Sequence, residues 1–230
     1  MAETGFVLHY APDNASLIVR IVLEEMGLPY RAVLVDRRAR QQDSAAFRAL
    51  NPAGVIPVLE TPEGVLSETG AVLLWLAETQ GRMAPMPGEP ERGAFLRALF
   101  FVSNTLHADL RLVFYPGQYA PGAEAALHRA VTARLLRHYA LLEGLAGQGW
   151  LGGEAVSVLD VYVAVTMRWA ALYAPGGAWF DPGAFPRLAA MAGRLEGRDS
   201  VRRAARAEGL GARVFTAPEA CQPPEGSALG

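Results

Sequence analysis

The sequence predicts an α/β N-terminal half, in the order strand, helix, strand, helix, strand, strand, helix, joined to an all-helical second half. Three observations carry this. Short apolar and β-branched runs alternate with helical periodicity over the first 80 residues. A proline- and glycine-rich break, GRMAPMPGEPERG, occupies 81–93. Beyond it the strand signals vanish. The boundaries read from these features are a first domain over 1–81, a linker over 82–93, a helical domain over 94–215 and a flexible tail over 216–230.

Each element has its own signal. GFVLHY is a brief apolar run that ends in a loop, as a strand does. From Ser16 onward Leu17, Ile18, Ile21, Val22 and Met26 recur at helical spacing, until Gly27-Leu28-Pro29 stops the helix. YRAVLVD (30–36) returns to extended character, and SAAFRALN (44–51) is a short helix ended by Pro52. VIPVLETPEGVLSE reads as two strands joined at Pro62-Glu63-Gly64, and TGAVLLWLAETQ (69–80) as an apolar-striped helix closed by Gly81. In the second half, 94–117, 123–145, 157–173, 184–197 and 199–207 read as helices. SVLD at 157–160 is a capping-box pattern ahead of an apolar run, a structural start signal.

Composition narrows the function. The chain has 230 residues, 51% of them hydrophobic and 19% charged, enough to bury a sizeable core. The formal charge of -2 argues against nucleic acid, which needs a concentrated positive surface. The basic groups DRRAR (36–40) and RDSVRRAAR (198–206) are read as solvated faces. A single cysteine, Cys221, in a proline-rich tail rules out an internal disulfide framework. No basic-then-apolar leader opens the chain, and no run reaches the ~20 apolar residues of a membrane span. A reducing cytoplasmic setting, without membrane or nucleic-acid partners, is therefore expected. His9, His107, His128 and His138 are scattered without ligand spacing, so no metal is expected. The chain contains no lysine and no glycine-rich phosphate loop.

Four stretches together resemble the soluble glutathione transferases over roughly residues 5–210. NPAGVIPVLET is similar to that family's NP-x-G-x-VP-x-L segment, which implies a thioredoxin-like fold with Pro57 as its cis-proline. Ile56 would then pair its backbone with the cysteinyl part of glutathione by strand addition. In LSETGAVLLWLAE, Glu68-Thr69 resembles the pair that holds the γ-glutamyl group. Glu68 can accept from the ligand ammonium, and Thr69 stands at a helix N-terminus that favours carboxylates. VSVLDVYVAVTMRWA resembles the buried helix of the second domain. FVSNTLHADLRLVFYP resembles the helix-four segment of bacterial beta-class members, with His107 facing the active site.

The first loop, HYAPDNASLIVR, departs from the family. Ala15 stands where beta-class members carry cysteine, and Asp13 where other classes carry a catalytic serine. A carboxylate at Asp13 would repel a thiolate, which leaves Asn14 and Ser16 as the groups to activate the thiol. Ser16 also suits the helix N-cap. Tyr10 ends the strand and is placed differently from the tyrosine of the tyrosine classes. A drop of two pKa units in a thiol takes ~2.7 kcal/mol, which one or two hydrogen bonds and a helix N-terminus can supply. With no lysine, Arg37, Arg38, Arg40 or Gln41 could take the glycyl carboxylate, a choice the sequence leaves open; Arg40 joins Ile56, Pro57, Glu68 and Thr69 in the glutathione-binding set.

The resemblance thus implies an enzyme with glutathione as co-substrate, a small apolar electrophile as second substrate, a homodimer and a role in detoxification. The electrophile is expected beside Asn104, His107 and Tyr115, between the first loop and their helix. Two alternatives stay open on the same fold: a non-catalytic binding or scaffold protein, and a glutathione-dependent isomerase or dehalogenase.

Overall fold

Alternation along Phe6–Tyr10 (β1) sets the layering of the first part of the chain. On one face Leu8 and Tyr10 are buried, Phe6 meets Trp75 edge-on and the Arg20 guanidinium lies over the Tyr10 ring. His9 turns to the other face, against Phe47, with its Nε2 2.8 Å from Glu60 Oε1. The structure, a computed structural model, describes residues 5–173 and 178–228.

Strand β1 pairs in parallel with β2 (Tyr30–Leu34), from Phe6↔Tyr30 to Tyr10↔Leu34. It pairs antiparallel with β3 (Val58–Thr61), which forms a hairpin with β4 (Gly64–Ser67). The sheet order is β2-β1-β3-β4. Helix α1 (Ala15–Met26) makes the crossover between the parallel strands. It ends as expected at Gly27, whose φ of 66° lets its own amide and that of Leu28 return to the carbonyls of Glu24 and Leu23. Helix α2 (Ala45–Leu50) is capped by the Ser44 hydroxyl and places Phe47 against Val35 and Val58. Helix α3 (Thr69–Gln80) packs with α1. The strand and helix order predicted for the first half is the one observed.

In the second part, the helix expected over 94–117 is α4 (Arg92–Phe101), a π-helical turn (Val102–Leu106) and α5 (His107–Phe114), followed by the short α6 (Pro116–Tyr119). Helix α7 (Glu124–Leu145) packs with α5, and α8 (Val158–Leu172) with α9 (Pro186–Glu196). Every α8 residue from Val158 to Ala170 is buried. Its start is the predicted capping box: Ser157 Oγ accepts from Leu159 and Asp160 N–H, and Asp160 Oδ2 accepts from Ser157 N–H at 2.8 Å.

The chain forms two compact units, and their membership differs from a simple cut at the linker. The first unit contains the residues up to Gln80 together with Gly197–Val214 and the segment from Glu219 onward; the second contains Gly81–Glu196 and Phe215–Pro218. Helix α10 (Asp199–Glu208) packs on α1 through Ser200, Val201, Ala204, Ala205 and Glu208. The basic group at 198–206 is thus more than a solvated face. Arg198 pairs with Glu25, and Arg203 Nε reaches Glu24 Oε2 at 2.5 Å, both on α1. Part of the segment expected as a flexible tail is hydrogen-bonded within the first unit, as where Gln222 N–H donates to Gly209 O. Among the described residues no helix is long and apolar enough to cross a membrane.

Candidate functional site

Strand register brings four separate segments to one end of the sheet. Parallel β1 and β2 both finish there, followed by the loops at 11–14 and 35–40. His9 near the end of β1 pairs with Val58 at the start of β3, so Ile56-Pro57 enters at that same end. Val58 in turn pairs with Ser67, the last residue of β4, which places Glu68 and Thr69 there as well. The end of the sheet beyond the carboxyl ends of parallel strands is where open α/β sheets bind ligands.

The four segments present different chemistry. The Ile56–Pro57 peptide is cis. Pro57 is buried and Ile56 partly so, and because β3 begins at Val58, Ile56 lies outside the ladder. Glu68 is exposed at φ 68°, and its carbonyl accepts the first helical bond of α3, from Val72 N–H. Thr69 is buried in the first turn, and no acidic side chain stands in that turn. Arg40, also at positive φ, has an exposed guanidinium tied to Asp43 Oδ2 through Nε at 2.9 Å. Arg37 instead turns inward to the first loop, with Nη1 3.3 Å from Asn14 Oδ1.

Asn14 and Ser16 have unlike settings. The N-cap of α1 is Asn14, and Ser16 sits inside the first turn, which corrects the expectation that Ser16 caps the helix. Ser16 is fully buried; its hydroxyl donates to Ala11 O at 3.1 Å and accepts from Ala11 N–H at 3.3 Å. It therefore clamps the loop to the helix. Asn14 makes no side-chain cap; its Nδ2 donates to Pro12 O at 2.8 Å and to Ala228 O at 3.0 Å. No acidic side chain occupies the first turn of α1, whose positive end lies at Asn14.

Beneath this loop lies a buried ion pair that sequence reasoning missed. Glu208, the last residue of α10, is fully buried; its Oε1 accepts from Arg20 Nε at 2.7 Å and its Oε2 from Asp13 N–H at 2.8 Å. Asp13 is held at φ 50°, directly before Asn14, so α10 fixes the backbone from which Asn14 projects. Burial pushes the Glu208 carboxyl up to about 7, against the pull of the Arg20 guanidinium and the Asp13 amide. Burial draws Arg20 down, but Glu208 and Tyr30 together hold it above its ordinary value. One signal was available. Glu208 continues the apolar stripe Val201, Ala204, Ala205 of an otherwise charged helix, a position that faces the core.

In the second unit, Asn104 is exposed on the π-helical turn, and Tyr115, partly buried, lies under the Arg111 guanidinium, 5.3 Å from its ring centre. His107 is partly buried against Trp169, with Nδ1 2.8 Å from Tyr162 OH. Its apolar surroundings, and secondarily the Arg111 charge, push it down to about 4, so the imidazole is neutral near pH 7. Among the described residues no group of three or more His, Cys, Asp or Glu side chains is arranged to hold a metal ion.

Comparison with known proteins follows the same division. The profile of the glutathione S-transferase N-terminal domain matches residues 15–79, and that of the glutathione S-transferase C-terminal domain matches 124–190. A glutathione S-transferase of Xanthomonas campestris is 31% identical over 214 residues, covering 88% of this chain and 98% of the relative. A sphingomonad glutathione S-transferase, solved in complex with glutathione, is 32% identical with a TM-score of 0.72, covering 89% of this chain and 100% of the other. A glutathione transferase homologue from Sulfitobacter with bound glutathione is 25% identical with a TM-score of 0.74, covering 87% of this chain and 97% of the other.

Proposed function

The chain belongs to the glutathione S-transferase family, with its thioredoxin-like and helical parts, and from that premise we propose that it binds glutathione and conjugates it through its thiol to a small apolar electrophile. The observation that carries this reading is the convergence on one sheet end of Asn14, Ile56, Glu68 and Thr69. Ile56, outside the ladder, offers its backbone to the cysteinyl residue beside Pro57. Glu68 accepts from the γ-glutamyl ammonium, and the first turn of α3 at Thr69 receives its carboxylate. The glycyl carboxylate is assigned to Arg37, whose guanidinium lies beside Asn14 at the ligand end of the sheet.

Thiol activation falls to Asn14 and the N-terminus of α1, since the Ser16 hydroxyl is spent on Ala11. The thiol proton leaves to solvent, the sulfur lone pair forms a carbon–sulfur bond, and the leaving group departs with its electrons. Asn104, neutral His107 and Tyr115 are assigned to the electrophile pocket. A homodimer working in a reducing cytoplasm, as a detoxification enzyme, completes the reading. It uses no metal, and neither nucleic acid nor a membrane is its partner.

Titration calorimetry with glutathione, followed by conjugation to an aryl halide read by thioether absorbance, tests the proposal. Absence of binding at millimolar glutathione overturns the ligand. Binding without turnover favours the scaffold alternative, which the commitment of both Asn14 amide hydrogens supports. Turnover of an isomerisable or halogenated substrate alone favours the isomerase or dehalogenase.

A further inference from the structure

We propose that the segment 219–228 is an internal strap that occupies the donor group of the first loop and must be displaced when glutathione binds. The inference rests on the glutathione reading of that site. The strap leaves α10 at a close backbone crossing, where Gln222 N–H donates to Gly209 O at 2.8 Å. Gly209 has φ 67°, and a Cβ there would stand 2.0 Å from Gln222 O, so this crossing requires glycine. The segment then runs to the ligand end of the sheet. Tyr10 OH, at the end of β1, donates to Glu225 Oε1 at 2.5 Å. Gly226 rests on Leu34, the end of β2, so closely that a Cβ would approach Leu34 Cδ1 to 2.6 Å. Ser227 is buried. Ala228 O then receives Arg37 Nη1 at 2.5 Å and Asn14 Nδ2 at 3.0 Å.

Hydrogen-bond capacity gives this last contact its meaning. An asparagine amide has two hydrogens. One is spent within the loop on Pro12 O, the other on the strap. The donor that the thiol sulfur needs is therefore the one Ala228 holds. Arg37 and Asn14 both donate to the Ala228 carbonyl, and an anionic acceptor takes a hydrogen bond from the Asn14 amide more strongly than a peptide oxygen does. Gln222, Pro224, Glu225 and Gly226 of the strap are exposed, as in segments that open locally. A closed strap lowers the apparent glutathione affinity by the fraction of molecules in which it is shut.

The test compares three forms by calorimetry: the full chain, the chain ending at Pro218, and full-length Glu225→Ala, which loses the Tyr10 contact. Hydrogen exchange across 219–228 is followed in the full chain with and without glutathione. The chain ending at Pro218 should bind glutathione roughly five-fold tighter, Glu225→Ala should fall between, and saturating glutathione should speed strap exchange by a similar factor. Binding with unchanged strap exchange and no tightening in either variant overturns the strap alone. No heat from any form at millimolar glutathione overturns the glutathione reading and the strap's role with it. If the shortened chain loses its cooperative melt, the exchange measurement and Glu225→Ala decide.

Discussion

Asn14 and Ser16 lie two residues apart, and their hydrogen bonds separate their roles. Asn14 projects from the helix N-terminus with its amide toward Arg37 and Ala228, whereas Ser16 is buried under Ala11. Asn14→Ala should raise the pKa of bound glutathione toward its free value near ~8.5, cutting conjugation about ten-fold at pH 7. Ser16→Ala should leave that pKa in place and cost about 1–2 kcal/mol of stability, because the buried Ala11 carbonyl loses its donor. Thiolate absorbance against pH and urea unfolding read the two effects; a thiol pKa moved by Ser16→Ala instead would reverse the assignment. At this scale two positions were legible: Pro57 as a cis-proline through the family resemblance, and Thr69 at the start of an apolar helix. Glu208 with Arg20 was not, because the partners lie 188 positions apart and each sits in a helix that reads well without the other.

Elements were legible where their ends carry local chemistry. Gly27 stops α1 and Ser44 starts α2 through backbone and side-chain bonds within a few residues. The π-helical turn at Val102–Leu106 escaped, since its residues keep the apolar helical pattern on either side. Membership of α10 in the first unit escaped for another reason: amphipathic spacing tells which face is buried and not against what. The start of α8 is the best-defined local signal. Ser157 Oγ also donates to Trp150 O, and Asp160 Oδ1 accepts from Gly152 N–H at 2.7 Å, so the cap fastens the preceding loop as well as the helix. Ser157→Ala should therefore cost about 2 kcal/mol, the upper end for an N-cap, in urea unfolding. Ser157→Thr, which keeps the hydroxyl, should recover most of it. Equal loss in both variants would place the effect in packing instead.

Over the whole molecule, buried Glu208 and partly buried His107 impose opposite pH dependences on stability. The Glu208 carboxyl is raised from 4.5 to about 7 by burial, so between those values the folded chain holds a proton that the unfolded chain has released. Stability from this group falls as pH rises, by at most roughly 3 kcal/mol. His107 is lowered from 6.5 to about 4, so there the unfolded chain holds the extra proton. Its contribution is complete above pH 6.5 and is lost as pH falls toward 4, again by at most roughly 3 kcal/mol. Across the shared window the two slopes oppose each other, and the intact chain should change little in stability. Each variant then exposes the other group. Glu208→Gln should give a stability that climbs from about pH 4.5 to 6.5, and His107→Gln one that declines from about pH 4.5 to 7. Leaving Arg20 without its carboxylate adds a constant offset to the first curve and does not alter its slope. Asp160, also raised by burial, slopes with Glu208 in the acid range and is common to every form. Urea midpoints measured through the window distinguish the cases: variant curves parallel to the intact chain would mean that neither group carries the linkage.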